Sequence, residues 1–163
     1  FMKKHNLIFE RVHFIDTSLY FYDGYSQNIR FDRLAPAFQN IVQFAVAMAI
    51  YMGFSEIYIL GADSTGIITK INSVLSQNIE GCYTYDLGRS GQKYVNSLLD
   101  YFSVEEQFAG WTRIFHLYKE LFRYCNDHNI KLVNCSSETI IEGIPRASLE
   151  SVISNEANRK IQE

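Results

Sequence analysis

Residues 36 to 63 constrain the fold most, because they read as a helix, a short turn and a strand in immediate succession. Pro36 suits the first turn of a helix, where its missing N–H has no partner to lose, and Gly53 suits the left-handed residue just past the end. The carboxy-terminal two thirds of residues 37–52 is apolar all round, which predicts a helix buried on several sides. Small Ala45, Ala47 and Ala49 let such a helix lie close to a sheet. Residues 56–60, Glu-Ile-Tyr-Ile-Leu, have a strand's composition and run straight into Gly61-Ala62-Asp63-Ser64-Thr65-Gly66. A helix followed by an apolar strand is half of a βαβ crossover, with residues 12–16 as the expected first strand, so the sheet is predicted to be parallel.

Phe108, Trp111, Ile114, Phe115, Tyr118, Leu121, Phe122 and Cys125 recur at three- and four-residue spacing, the mark of one apolar helix face. Asn126 and Asn129 favour its ending. Residues 130–135 then form a third strand candidate, and a final helix is expected over residues 147–153, after Pro145. Residues 19–34 read as a loop with an aromatic surface, residues 69–76 and 92–101 as helices, and residues 81–91 as a polar connection. The expected fold class is α/β: a Rossmann-like three-layer fold with a short, mostly parallel sheet, one domain over residues 1–153 and a fraying tail over 154–163.

Composition agrees with one folded domain, since 163 residues of which 47% are hydrophobic and 20% charged can bury a real core. A net charge of -3 gives no overall attraction for nucleic acid. Cys82, Cys125 and Cys135 are odd in number and lack CxxC spacing, which argues against a disulfide framework or a cysteine-rich zinc site and fits a reducing, cytoplasmic setting. No apolar run has the length of a membrane span. The aromatic fraction of 15% is the unusual entry. Phe44, Tyr58, Trp111, Phe115 and Phe122 are expected in the core, which leaves a surplus in the loops at Tyr20 to Tyr25 and Tyr83 to Tyr85.

Ligands of an open α/β sheet bind outside the carboxyl ends of its parallel strands. Three such ends can be named: Asp16-Thr17-Ser18, Gly61-Ala62-Asp63-Ser64-Thr65 and Asn134-Cys135-Ser136-Ser137. An acid directly after a buried strand can hold a metal, accept from a ribose hydroxyl, or cap the next helix, and these uses of Asp63 stay open. Capping alone would also account for Ser136 and Ser137. The nine glycines contain neither a dinucleotide fingerprint nor a P-loop. His5, His13, His116 and His128 have no neighbouring cluster of metal ligands, and His116 reads as structural or solvent-facing. The phenols of Gly81-Cys82-Tyr83-Thr84-Tyr85-Asp86 can stack on a sugar or base or cover a sheet edge. Arg146 can hold a phosphate or tie down the last helix, and the second role is expected.

The run from Gln43 to Asp63 resembles the segment "Q-x-A-x-x-M-G-F-x-E-I-Y-L-x-G-x-D" of the MptE-like family, named for 6-hydroxymethylpterin diphosphokinase and frequent in bacterial surface-polysaccharide clusters. The same run is similar to the "A-x-A-L-G-Y-K-E-I-Y-L-x-G-I-D" stretch of bacterial sialyltransferases that use a CMP-sugar. Downstream, Trp111, Tyr118-Lys119, the block from Asn129 to Ser136 and the block from Ile144 to Glu150 look like the family's closing helix, its "I-K-I-Y-N-x-T" strand and its "F-P-R-x-x-L-E" ending. Two features depart from the pattern. The family's "G-N-G-P-S" turn is missing, which together with a start at Phe1-Met2 suggests the carboxy-terminal part of a larger protein. Where sialyltransferase-like members place a histidine base, this chain reads Cys82-Tyr83-Thr84-Tyr85.

The resemblance implies a glycosyltransferase-like domain that binds a nucleotide-sugar donor and a glycan acceptor. Asp63 and Tyr85 are then the catalytic candidates, and Asn40, Gly61, Ser64, Tyr83, Asp86 and Asn134 the substrate-binding ones. No cofactor is certain. The alternative the family name implies, pyrophosphoryl transfer from ATP to a hydroxymethylpterin, needs Mg2+ on carboxylates, for which Asp16, Asp63 and Asp86 are the candidates. A third reading is a non-catalytic binding module using the aromatic loop Tyr20 to Tyr25, and the sequence also admits a homo-oligomer.

Overall fold

The computed structural model describes residues 29–32, 38–68 and 103–154, together with Ile15, Ala35 and Ile71. The expected strand at 12–16 (Ile15 apart), the aromatic loop at Tyr20 to Tyr25, Pro36, most of the helix at 69–76, all of residues 81–101 and the end of the tail lie outside the described residues. The described chain forms helix α1 (Ile41–Tyr51), strand β1 (Glu56–Ile59), helix α2 (Val104–Asp127) and strand β2 (Lys131–Asn134). Helix 149–154 follows. The class is α/β.

α1 begins at Ile41 rather than beside Pro36, so it has 11 residues, shorter than the proline and glycine signals implied. Asn40 is the reason: its backbone is extended, and its side chain accepts the N–H of Gln43 at 2.9 Å. Gly53 ends the helix as expected. With φ +88° it lets its own N–H reach Ile50 O at 3.0 Å while Phe54 N–H reaches Ala49 O at 3.1 Å, the two bonds of a Schellman turn. α2 ends in the same way, with Asn129 at φ 55° donating to Asn126 O and Ile130 donating to Cys125 O at 2.8 Å. Its start is a complete capping box, Ser103 Oγ accepting from Glu106 N–H and Glu106 Oε2 from Ser103 N–H. Those hydrogen bonds hold the Glu106 carboxyl below its ordinary range.

The two stops deliver the chain into paired strands. β1 and β2 are parallel, in register from Glu56 opposite Lys131 to Ile59 opposite Asn134. Backbone bonds extend the ladder at both ends, Lys131 N–H to Ser55 O at 2.8 Å and Cys135 N–H to Ile59 O at 2.7 Å. Both strands alternate in burial, with Ile57, Ile59, Leu132 and Asn134 on the covered face. Against that face pack Val46 and Ala47 of α1 and Leu117, Tyr118, Leu121 and Cys125 of α2. The other face carries Glu56, Tyr58, Lys131 and Val133, none of them buried, with Lys131 Nζ donating to Glu56 Oε2 at 3.0 Å.

Two expectations about the core change. α1 is fully covered on one side only: Gln43, Val46 and Ala47 are buried, Val42, Phe44, Ala49 and Ile50 are half-buried, and Ile41 and Tyr51 at its ends are 75% and 47% exposed. An apolar composition all round does not say which side a neighbour takes. Phe44, Tyr58, Trp111, Phe115 and Phe122 are only half-buried, Phe122 against the core as expected, and among the described residues the most fully enclosed aromatic ring is Tyr118, at 1% exposure. Phe44 instead joins an edge-to-face group with Phe31 and Phe38, ring centres 5.5 Å away in each case.

Candidate functional site

Beyond Ile59 the backbone leaves the ladder, and its direction is set by two left-handed residues, Gly61 at φ 74° and Ser64 at φ 56°. A serine in that region is uncommon and holds local strain. The loop they make is laced to the segment after β2. Ala62 N–H donates to Ser136 Oγ at 2.9 Å, Thr139 Oγ1 donates to Ala62 O at 2.8 Å, and Ile140 N–H donates to Asp63 O at 3.0 Å. Asn134 is fully buried, and its amide is spent within that segment, accepting from Ser136 N–H at 3.0 Å and donating to Thr139 Oγ1 at 3.2 Å. It shapes the loop.

Asp63 is exposed. No hydrogen bond or ion pair to its carboxylate occurs among the described residues, so the cap that would explain an acid here is not made with them. Asn40 and Ser64 are brought together by Tyr118, which in the sequence stands only in the apolar stripe of α2. Its hydroxyl donates to Asn40 Oδ1 at 3.3 Å and also interacts with Ser64. Burial raises the Tyr118 pKa. Tyr83, Tyr85 and Asp86 lie outside the described residues.

On the other side of Ser136 opens a cleft of about 480 Å3, within the range of about 300–1,000 Å3 common for small-molecule sites. Leu60 of β1's end and Cys135, Ser136 and Ser137 of β2's end form its floor, while Arg146 and Ser148 form the far wall. That wall stays in place because residues 145–147 run parallel to β2's end, Asn134 N–H donating to Pro145 O at 2.8 Å and Asn134 O accepting from Ala147 N–H at 3.3 Å. Helix 149–154 starts two residues later than expected, with Ser148 as its cap through Ser151 N–H at 3.1 Å. Gly61, Asp63, Ser64, Asn40 and Asn134 do not line this cleft. Arg146 does, and its Nη2 donates to Ser137 O at 3.2 Å, a tie to the segment after β2 rather than the expected one to the last helix. A one-residue bridge leaves no periodic signal, so only Pro145 hinted at this wall.

No group of three or more His, Cys, Asp or Glu that could hold a metal occurs among the described residues. No helix among them is long and apolar enough to cross a membrane. Comparisons with family models, with curated proteins and with solved structures found no match to this chain.

Proposed function

We propose that this chain is a Rossmann-like, three-layer domain that binds a nucleotide-activated sugar in a glycosyltransferase-like protein of bacterial surface-glycan synthesis, as its resemblance to the MptE-like family and to CMP-sugar sialyltransferases implies. The observation that supports the reading best is the cleft of about 480 Å3 at the carboxyl ends of two parallel strands, where open α/β sheets take their ligands. In this arrangement the donor lies across the ends of β1 and β2. Exposed Asp63, at the rim of the β1 loop, orients the acceptor hydroxyl or the group that removes its proton. Donors in the cleft stabilise the charge that grows on the departing nucleotide. The laced loops keep the two sides of the crevice at a fixed spacing.

Thermal unfolding of the chain with CMP-, UDP- and GDP-sugars tests the reading. One of these donors raises the melting temperature, and Asp63→Ala lowers transfer to an acceptor more than it lowers donor binding. No stabilisation by any donor overturns the reading. Stabilisation by ATP that depends on Mg2+ replaces it with the diphosphokinase alternative.

A further inference from the structure

The wall of the cleft holds a cation, Arg146, that forms no ion pair among the described residues. Arg30, Arg123 and Lys131 each form an ion pair with a carboxylate, on Asp32, Glu120 and Glu56 respectively. Arg146 forms none among the described residues; its recorded bond goes to the carbonyl of Ser137, which steadies the side chain and leaves most of its five N–H donors unspent. The hydroxyls around it are donors too. Ser136 Oγ already accepts from Ala62 N–H and Ser148 Oγ from Ser151 N–H, so each keeps its own O–H to give. A planar guanidinium fork beside several hydroxyl donors matches the three oxygens of a phosphoryl group.

One lining group has the opposite character. Glu150 brings a carboxylate, an acceptor only, to the same cleft. It suits a ligand whose phosphate sits next to hydroxyl groups, and it disfavours a bare anion. Leu60 and Leu149 add apolar surface for a ring face.

We propose that the cleft between the end of β2 and helix 149–154 is a phosphate-binding site in which Arg146 grips the phosphoryl group, and that its ligand is a phosphorylated sugar or nucleoside whose hydroxyls are taken by Glu150. The inference rests on the placement of the donor site argued above, and it names which wall of that site receives the charge. Asp63 and Asn40, which do not line the cleft, are not part of the phosphate contact.

The test is calorimetric titration of the full chain with pyrophosphate, glucose 1-phosphate and CMP, each beside its unphosphorylated counterpart where one exists, glucose and cytidine. The phosphorylated probes bind and the others do not. Arg146→Gln weakens binding of all three phosphorylated probes by about tenfold to a hundredfold, the worth of a lost hydrogen-bonded charge. Arg146→Lys, which keeps the charge and loses the fork, falls between, and it decides the matter should the glutamine variant unfold. Glu150→Gln weakens glucose 1-phosphate and CMP while leaving pyrophosphate as tight or tighter. Equal binding of cytidine and CMP, or binding unchanged in both Arg146 variants, overturns the proposal. Nucleotide-sugar binding indifferent to Arg146 overturns it and leaves the function proposed above standing. Arg146-dependent binding of glucose 1-phosphate and CMP without any nucleotide-sugar binding supports the phosphate site and removes that function.

Discussion

Asn40 stands at a junction where architecture and ligand binding predict different outcomes, and a double-mutant cycle separates them. Its Oδ1 accepts twice, from Gln43 N–H at 2.9 Å and from the Tyr118 hydroxyl at 3.3 Å. Asn40→Ala removes a helix cap worth about 1 kcal/mol. It also removes one partner of a hydroxyl enclosed at 1% exposure, worth about 0.5–1 kcal/mol at this long distance. The sum of about 1.5–2 kcal/mol lowers the melting temperature by roughly 3–8 °C in a chain of this size. Tyr118→Phe loses only the hydroxyl share. Because both single variants delete the same contact, the double variant is less destabilised than the sum of the two, with a coupling of about 0.5 kcal/mol or more. Asn40→Ser restores the cap but does not reach Tyr118, so it recovers about half of the loss. Urea unfolding followed by circular dichroism measures all four. Additive losses, together with an Asn40→Ala variant as stable as the parent, would show that Asn40 is not held by the fold and would return it to the ligand.

Three further outcomes test the framework. Cys125 has no exposed surface, and burial pushes its thiol up from 9.0 to about 11. Its folded pKa is the higher one, so the folded state keeps a proton that the unfolded state has lost, and stability falls as pH rises from about 9 to about 11 by an amount on the order of 2 kcal/mol; an equally steep fall in Cys125→Ala would refute this. Leu121→Ala, at a site with 0% exposure, costs about 2–5 kcal/mol in chemical denaturation, and a loss below about 1 would mean that the α2–sheet core is not packed as described. Ser103→Ala breaks the capping box and costs about 1 kcal/mol, with amide exchange faster in the first turn of α2 and unchanged at its carboxyl end.

Local signals made much of this frame readable. A glycine in one helix stop and an asparagine in the other marked where α1 and α2 give way to strands, because few residues tolerate positive φ there. The β-branched runs at residues 56–60 and 130–135 stood out between those stops and the polar loops. The start of α1 departs from the proline signal because Asn40, four residues on, carries the cap. Two site features could not be read from the chain. Tyr118 has the spacing of a core residue and is one, yet the destination of its hydroxyl depends on two loops that lie 78 residues and 54 residues earlier. Arg146 reaches the cleft through a single bridge to Asn134, which has no periodicity to detect.

The lacing between the loop after β1 and the segment after β2 has a thermodynamic consequence for whatever enters the cleft. Ser136 and Thr139 are tied to Ala62 through backbone and side-chain bonds that span more than 70 residues of sequence, so the two strand ends behave as one pre-set jaw. A ligand arriving there does not have to freeze two wandering loops, an ordering cost of about 0.5–1.5 kcal/mol for each immobilised side chain in a loose site. Affinity is therefore decided by the groups on the walls, and removing one wall residue should act mainly on how fast the ligand leaves.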